Sequence, residues 1–330
     1  MSWLWIVLIV VVAVVLAVLV LMPRPAPVLP TVTDDPALPT LSVRGVRLHV
    51  QVFGPQGAPV IVVLHGGPGG DHRSLLPLQA LGDQYRVVFY DQRGAGLSQR
   101  VPDADLTYAA HLEELNALLD HVSPHRPVSL IGHSRGAILA TGYLGTHPDR
   151  VDRAVLIEPG FLDATGMATW MVQANRIIRR MLVRPGGLVF LTRAMIGAMR
   201  LSGPDADAAR DHVAGRMVHA FANHPDVPYA CPGTRYDSPA WRIGARAMSA
   251  VPRSVSPDKV DAIADRAGAW PGRALFLTGS CDSWIGTVRQ SEHAKAFQHA
   301  SLIEIAEAGH DVVDDRPDAA LAAIRGFLGG

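Results

Sequence analysis

The chain has 330 residues, and its 30 lysines and arginines balance 30 aspartates and glutamates to a formal net charge of zero. That balance gives no reason to propose nucleic acid as a partner, and Cys231 and Cys281 are too few and too far apart for a metal site or a disulfide scaffold, leaving one bridge or two free thiols. Hydrophobic residues make up 48% of the chain, ample for one enzyme-sized core. There is no internal repeat, Walker loop or clustered metal-ligand spacing, so no metal and no other cofactor is expected.

The first predicted element is a membrane helix. Trp3 through Met22 carries no polar residue, and at ~1.5 Å per residue it is as long as the hydrocarbon core is thick. No lysine or arginine precedes it, and Leu21-Met22-Pro23-Arg24 is a poor cleavage context, so a single-pass anchor over 1–22 is favoured over a signal peptide. A buried core helix is the bland alternative. The lipid bilayer is thus an expected partner through residues 3–22. Arg24, on the C-terminal side, places the catalytic domain in the cytoplasm by the positive-inside bias. Pro23, Pro25, Pro27, Pro30 and Pro36 make 23–40 a stiff, extended linker.

Leu41 to Gly54 alternates through Val43, Val46, Leu48, Val50 and Val52 and predicts an opening antiparallel hairpin. Pro59 to Leu64 reads as a fully buried strand that runs into His65-Gly66-Gly67-Pro68-Gly69-Gly70. Tyr85 to Tyr90 predicts the next strand and leads into Asp91-Gln92-Arg93-Gly94, a loop read as structural, with Arg93 and Asp91 tying its neighbours; substrate contact is the other reading. Tyr108 to Val122 places Leu112, Leu115, Leu119 and Val122 on one helical face, with Thr107 as N-cap.

The apolar run Leu130-Ile131 ends in Gly132-His133-Ser134-Arg135-Gly136, the Gly-X-Ser-X-Gly pattern that delivers a serine on a tight strand-to-helix turn. A side chain at either glycine would collide with neighbouring helix or strand. A helix follows to about His147, then a strand from Arg153 to Glu158. Between Phe161 and about Trp270 the strand signals stop and proline-broken helical segments take over, predicting a cap. Its first part, to Gly203, carries Arg176, Arg179, Arg180, Arg184, Arg193 and Arg200 against one acid, Asp163. Two readings stand for that surface: cap helices with solvated arginines, or a lid resting on anionic lipid that admits apolar esters.

Arg273 to Gly279 predicts a strand, followed at once by Ser280-Cys281-Asp282. Ser301 to Ala306 alternates like a strand, and Glu307-Ala308-Gly309-His310 places a histidine in the loop after it. Strands alternating with helices predict a mostly parallel, doubly wound sheet, formed by a core of 41–160 and 271–330 with a cap over 161–270. Catalytic loops then lie at the carboxyl ends of the strands.

Ser134, Asp282 and His310 are the candidate nucleophile, acid and base, each just past a strand. A serine hydroxyl is a poor nucleophile at neutral pH, so an imidazole must take its proton and later return one to the leaving group. A fixed carboxylate selects the imidazole tautomer and stabilises its charge. The oxyanion needs two N–H donors, expected from Arg135, after the nucleophile, and from Gly67. Glu158, after the next strand, is the alternative acid. His133 is read as structural at the turn and His65 as a brace for the oxyanion loop. His293 and His299 are placed on a surface helix without a role.

HGGPGG at 65–70 and DQRGAGLS at 91–98, with GHSRG and the late Asp282 and His310, resemble the proline iminopeptidase branch of the α/β-hydrolases over roughly residues 41–328. The resemblance implies the α/β-hydrolase fold, a helical cap and a serine-hydrolase mechanism. The chain departs from the branch in two places. His133 and Arg135 flank Ser134 where Gly-Ser-Trp-Gly is usual, and no glutamate lies between Glu158 and Glu292 to hold a substrate amino group. Asp163 or Asp237 would have to substitute. The expected function is a membrane-anchored serine hydrolase acting on a small apolar ester, thioester or lactone through an acyl-enzyme on Ser134. A proline iminopeptidase-like aminopeptidase is the second reading and a catalytically idle binding protein the third. Epoxide hydrolysis and dehalogenation by the usual route need a carboxylate where Ser134 stands. The sequence sets no oligomeric state.

Overall fold

The computed structural model describes residues 3–21, 27–236 and 239–329. Met22, Pro23, Arg24 and Pro25 of the expected anchor and linker, and Asp237 of the cap, lie outside the described residues. Helix α1 (Trp3–Leu21) is long and apolar enough to cross a membrane, and none of its Trp3–Val20 window is buried against the rest of the chain.

An eight-stranded sheet among the described residues comprises β1 (Thr40–Val43), β2 (Val46–Phe53), β3 (Val60–Leu64), β4 (Arg86–Tyr90), β5 (Val128–His133), β6 (Val151–Ile157), β7 (Arg273–Gly279) and β8 (Ala300–Ile305). Its order is β1-β2-β4-β3-β5-β6-β7-β8. β1 and β2 form the expected hairpin, β2 pairs antiparallel with β4, and every later pairing is parallel. Parallel neighbours need crossovers: α2 (Tyr108–Val122) joins β4 to β5 and α3 (Arg135–Thr146) joins β5 to β6 on one face, while the helical turn Arg73–Asp83 joins β3 to β4 on the other, where the C-terminal α10 (Val312–Asp315) and α11 (Pro317–Gly329) also pack. The period-two pattern of the strands feeds both layers. Val62 and Leu64 of β3 face the α2–α3 side, whereas Ile61 and Val63 face α10 and α11. Thr107 caps α2 as expected, its hydroxyl accepting the Ala110 N–H at 3.1 Å.

Residues 161–270 contain α4 (Ala164–Val183), α5 (Pro185–Met199), α6 (Ala208–Ala222), α7 (Ala245–Arg253) and α8 (Pro257–Gly268). They do not form one layer. α8 lies along α3, and the Trp270 indole donates to the Pro148 carbonyl at 3.3 Å, so this end of the segment covers the sheet. α4, α5 and α6 pack chiefly on one another and on α7 and α8. Helix α9 (Thr287–Ala294) packs on β7 and β8. His293 is buried on α9 with its Nδ1 on the Gln290 side chain at 3.2 Å, contrary to the surface placement expected of it. The helix lies flat on two strands, so one of its faces is core. His299 is exposed just after it.

Candidate active site

Ser134 stands between β5 and α3 with φ 52° and ψ −117°, a left-handed conformation that a non-glycine residue adopts only under strain. The flanking glycines show why the turn closes. A Cβ on Gly132 would meet the Gly136 carbonyl at 2.6 Å, and one on Gly136 would meet the Leu64 carbonyl at 2.1 Å. The serine is half-buried, and its N–H donates to the Ile157 carbonyl at 2.7 Å, which ties the turn to β6. Arg135 opens α3, with its guanidinium 5.1 Å from the centre of the buried Tyr108 ring.

The 65–70 loop, expected to supply the second oxyanion donor, rests on this turn. A Cβ on Gly66 would stand 3.2 Å from the Ser134 Cβ, and Gly67 adopts φ +126°. His65 braces the loop: its Nε2 accepts the Gln92 N–H at 2.9 Å, so Nδ1 carries the proton and donates to the Gly66 carbonyl at 2.8 Å. Burial lowers the pKa of that imidazole, which favours this neutral form. Behind it, Asp91 receives bonds from His49, His72 and Leu97, and Arg93 bonds Glu114 on α2 at 2.9 Å, so the Asp91–Arg93 loop ties its neighbours together.

His310, after β8, brings the acids together. Its Nδ1 lies 2.8 Å from a Glu158 oxygen and 3.1 Å from an Asp282 oxygen, and all three groups are buried. Both residues named as candidate acids therefore meet the same nitrogen, leaving Nε2 for proton transfer. Asp282 is fixed by its other oxygen, which accepts the N–H groups of Trp284 and Ile285, each at 2.9 Å. Glu158 follows β6 with φ 45°, again strained, and its second oxygen accepts from Gly279 N–H and the Thr278 hydroxyl, each at 2.8 Å.

Burial is the largest influence on Glu158 and pushes its pKa up to about 8; the Asp282 charge adds to the rise, while the His310 bond opposes it. That rise favours the protonated form of Glu158. The two carboxyls raise the His310 pKa well above its ordinary value, against the opposing effect of burial. His133, directly before Ser134, is held near neutral by burial, which lowers its pKa to about 4. Its Nε2–H donates to the His310 carbonyl at 2.9 Å and the rings lie 4.8 Å apart, so it splices the serine turn to the histidine loop.

Glu158, Asp282 and His310, and separately His49, His72 and Asp91, each bring three metal-competent atoms within 4.8 Å of one another. In each cluster an imidazole-to-carboxylate hydrogen bond accounts for the approach.

Nothing in the spacing points to the aromatic wall beside His310. Tyr229 stacks on the imidazole at 4.5 Å, Trp284 on Tyr229 at 5.4 Å, and Trp170 of α4 on Trp284 at 5.6 Å. Cys231 and Cys281 form a disulfide that fastens the cap segment after Tyr229 to the loop carrying Asp282.

A model of the α/β hydrolase fold family matches residues 59–180. Over 299 residues the chain is 26% identical to the cis-3-alkyl-4-alkyloxetan-2-one decarboxylase of Shewanella oneidensis, covering 87% of each protein. It is 36% identical to the proline iminopeptidase of Heyndrickxia coagulans over 120 residues, which span 36% of this chain and 42% of that protein. Among solved structures, a thermophilic esterase from Thermogutta terrifontis superposes with a TM-score of 0.57 at 21% identity, over 88% of this chain and 96% of that one. The chain is thus an enzyme with the α/β-hydrolase fold that resembles the proline iminopeptidase branch over its core.

Proposed function

We propose that the chain is a membrane-anchored serine hydrolase that cleaves a small apolar ester, thioester or lactone through an acyl-enzyme on Ser134. The observation that carries this reading is His310, with Nδ1 against the carboxyls of Asp282 and Glu158 and its loop spliced to the strained serine turn. Ser134 attacks the carbonyl carbon as His310 Nε2 takes its proton, and Asp282 holds the Nδ1–H tautomer and balances the imidazolium. The oxyanion is received by the N–H groups of Arg135 and Gly67. His310 then returns the proton to the leaving oxygen or sulfur, and water repeats the sequence in reverse to release the acid.

The aromatic wall of Tyr229, Trp284 and Trp170 supports an apolar acyl part. So does the similarity to a protein named for a dialkyl oxetanone, which is an apolar lactone. The aminopeptidase reading has the similarity of residues in the core to proline iminopeptidases in its favour. Of the two acids that could hold a substrate amine, Asp163 already accepts the Gly166 N–H at 2.6 Å as the N-cap of α4, and Asp237 lies outside the described residues. Residues 3–22 serve as the anchor in this proposal. The Cys231–Cys281 bond favours an oxidising compartment for the catalytic domain, against the cytoplasmic side suggested by Arg24 alone.

The test is turnover of p-nitrophenyl esters of increasing chain length beside prolyl and alanyl arylamides. Ester hydrolysis that disappears in Ser134→Ala is the expected result. Preferential cleavage of the prolyl arylamide would overturn the specificity, and full activity in Ser134→Ala would overturn the mechanism.

A further inference from the structure

We propose that the corner formed by α4 and α5 is a second membrane contact, which rests on anionic lipid headgroups with its apolar residues in the headgroup–acyl boundary. The two helices meet at 87°. Their outward faces carry Val172, Val183, Leu188, Val189, Met195 and Met199, which are between 56% and 83% exposed. So much aliphatic surface on two adjoining helices is unusual for a face turned to water.

The charges beside it are mostly basic, with Asp226 the acid that lines the same surface. Arg176, Arg179, Arg184 and Arg193 are exposed on the same two helices, and Arg176, Arg179, Arg180 and Arg184 line one open groove with Val172 and Val183. Arg180 pairs with Asp226 at 2.6 Å, but no ion pair or hydrogen bond among the described residues holds the side chains of Arg176, Arg179 or Arg193. Guanidinium groups free to take phosphate oxygens, interleaved with exposed aliphatic side chains, match an anionic lipid surface; a protein partner would have to supply both acids and a flat apolar face.

The tether brings the C-terminal end of α5, which carries Met195 and Met199, toward the bilayer. The Leu29 carbonyl accepts from Arg242 at 2.9 Å, and the same guanidinium binds Asp205, in the loop just after α5, at 2.6 and 2.8 Å. The chain from Leu21, at the end of the apolar helix, to Leu29 can reach at most about 28 Å. The attachment point beside the end of α5 is therefore held within that distance of the membrane.

This inference rests on reading residues 3–22 as a span, and the experiment separates the two. The full chain is placed in detergent micelles, in phosphatidylcholine nanodiscs and in nanodiscs containing phosphatidylglycerol. Phenylglyoxal modification of Arg176, Arg179 and Arg193 is followed by mass spectrometry, with Arg44 as the reference. The expected result is about tenfold slower modification in the anionic nanodisc than in micelles, with Arg44 unchanged. The quadruple variant R176E/R179E/R184E/R193E should still float with neutral vesicles after a carbonate wash, because the span is intact. Equal rates in micelles and anionic nanodiscs would overturn the proposal, as would protection that appears in micelles together with self-association of the chain. Loss of flotation in the unmodified chain would instead overturn the span.

Discussion

Replacing Glu158 with Gln removes a buried proton without changing the shape of the side chain, and its effect can be worked from the environment of that group. The Glu158 pKa is raised from 4.5 to about 8, chiefly by burial. The folded protein therefore keeps a proton that the unfolded chain releases above about pH 4.5. Stability from this group is present in full below that pH and is lost as pH rises toward about 8. At ~1.4 kcal/mol for each pH unit, the loss reaches about 5 kcal/mol. The raised pKa of His310 acts in the same direction, and part of that rise comes from Glu158 itself. Asp71 and Glu114, both pushed up to about 7 by burial, add the same slope to both proteins and cancel in the comparison.

The assay is urea denaturation, followed by tryptophan fluorescence at pH 5, 6, 7 and 8, of the chain without residues 1–22 and of its Glu158→Gln variant. The difference in unfolding free energy should move toward the variant by about 3.5 kcal/mol across that range. Activity should persist, because Asp282 still accepts Nδ1–H, and the acidic limb of kcat/KM should move to lower pH as one source of imidazole basicity is gone. Parallel stability curves, within about 1 kcal/mol at every pH, would refute a protonated Glu158. A variant that folds but has lost its activity would transfer the orienting role from Asp282 to Glu158.

Ser134→Ala or His310→Ala should lower kcat by roughly 10⁵- to 10⁶-fold with unchanged circular dichroism. Asp282→Asn should cost about 10²- to 10⁴-fold in kcat by favouring the wrong tautomer, a loss read from steady-state ester hydrolysis. Gly136→Ala, whose new Cβ would stand 2.1 Å from the Leu64 carbonyl, should destabilise the fold by about 3 kcal/mol in the same urea titration. Removing the bridge with C231S/C281S opens a loop with a sequence separation of 50 and should cost about 4 kcal/mol, seen as a Tm lower by about 10 °C.

The sheet was legible because its strands are buried on both faces: runs such as Val60 to Leu64 can satisfy that environment and little else. The serine turn was legible because steric exclusion at Gly132 and Gly136 leaves a pattern that local sequence carries. The second carboxyl at His310 was visible only as an alternative. Glu158 and Asp282 are 124 positions apart, and their convergence depends on β6 and β7 being neighbours, with Ile157 opposite Leu277. The aromatic wall was not legible at all. Tyr229, in the irregular segment between α6 and α7, and Trp170, on α4, reach His310 and Trp284 through cap placement that follows from tertiary packing rather than from a residue period, and His293 was misplaced for the same reason.

The cap is not held to the core evenly, and the pattern bears on how substrate enters. On one side of the site the Gly244 N–H donates to the Gly69 carbonyl at 2.7 Å, and the Asp71 carboxylate accepts from Trp241 and Arg242 N–H at 2.6 and 2.9 Å. On the other side the His310 N–H donates to the Tyr229 carbonyl at 2.7 Å, and the disulfide follows two residues later. The C-terminal half of the cap is thus clamped to both the oxyanion loop and the histidine loop, and moving it would disturb the catalytic groups themselves. The first half is held more lightly: Ala164 N–H bonds Asp261 at 2.7 Å and α4 packs on α8, while α5 lies against α4 and α6. Opening therefore costs least at α4 and α5. These helices also carry the exposed aliphatic residues. Under the lipid contact proposed for this corner, opening there would deliver an apolar ester to Trp170 and Trp284 without passage through water, which would make the aromatic wall beside His310 and the apolar surface of the cap two ends of one route.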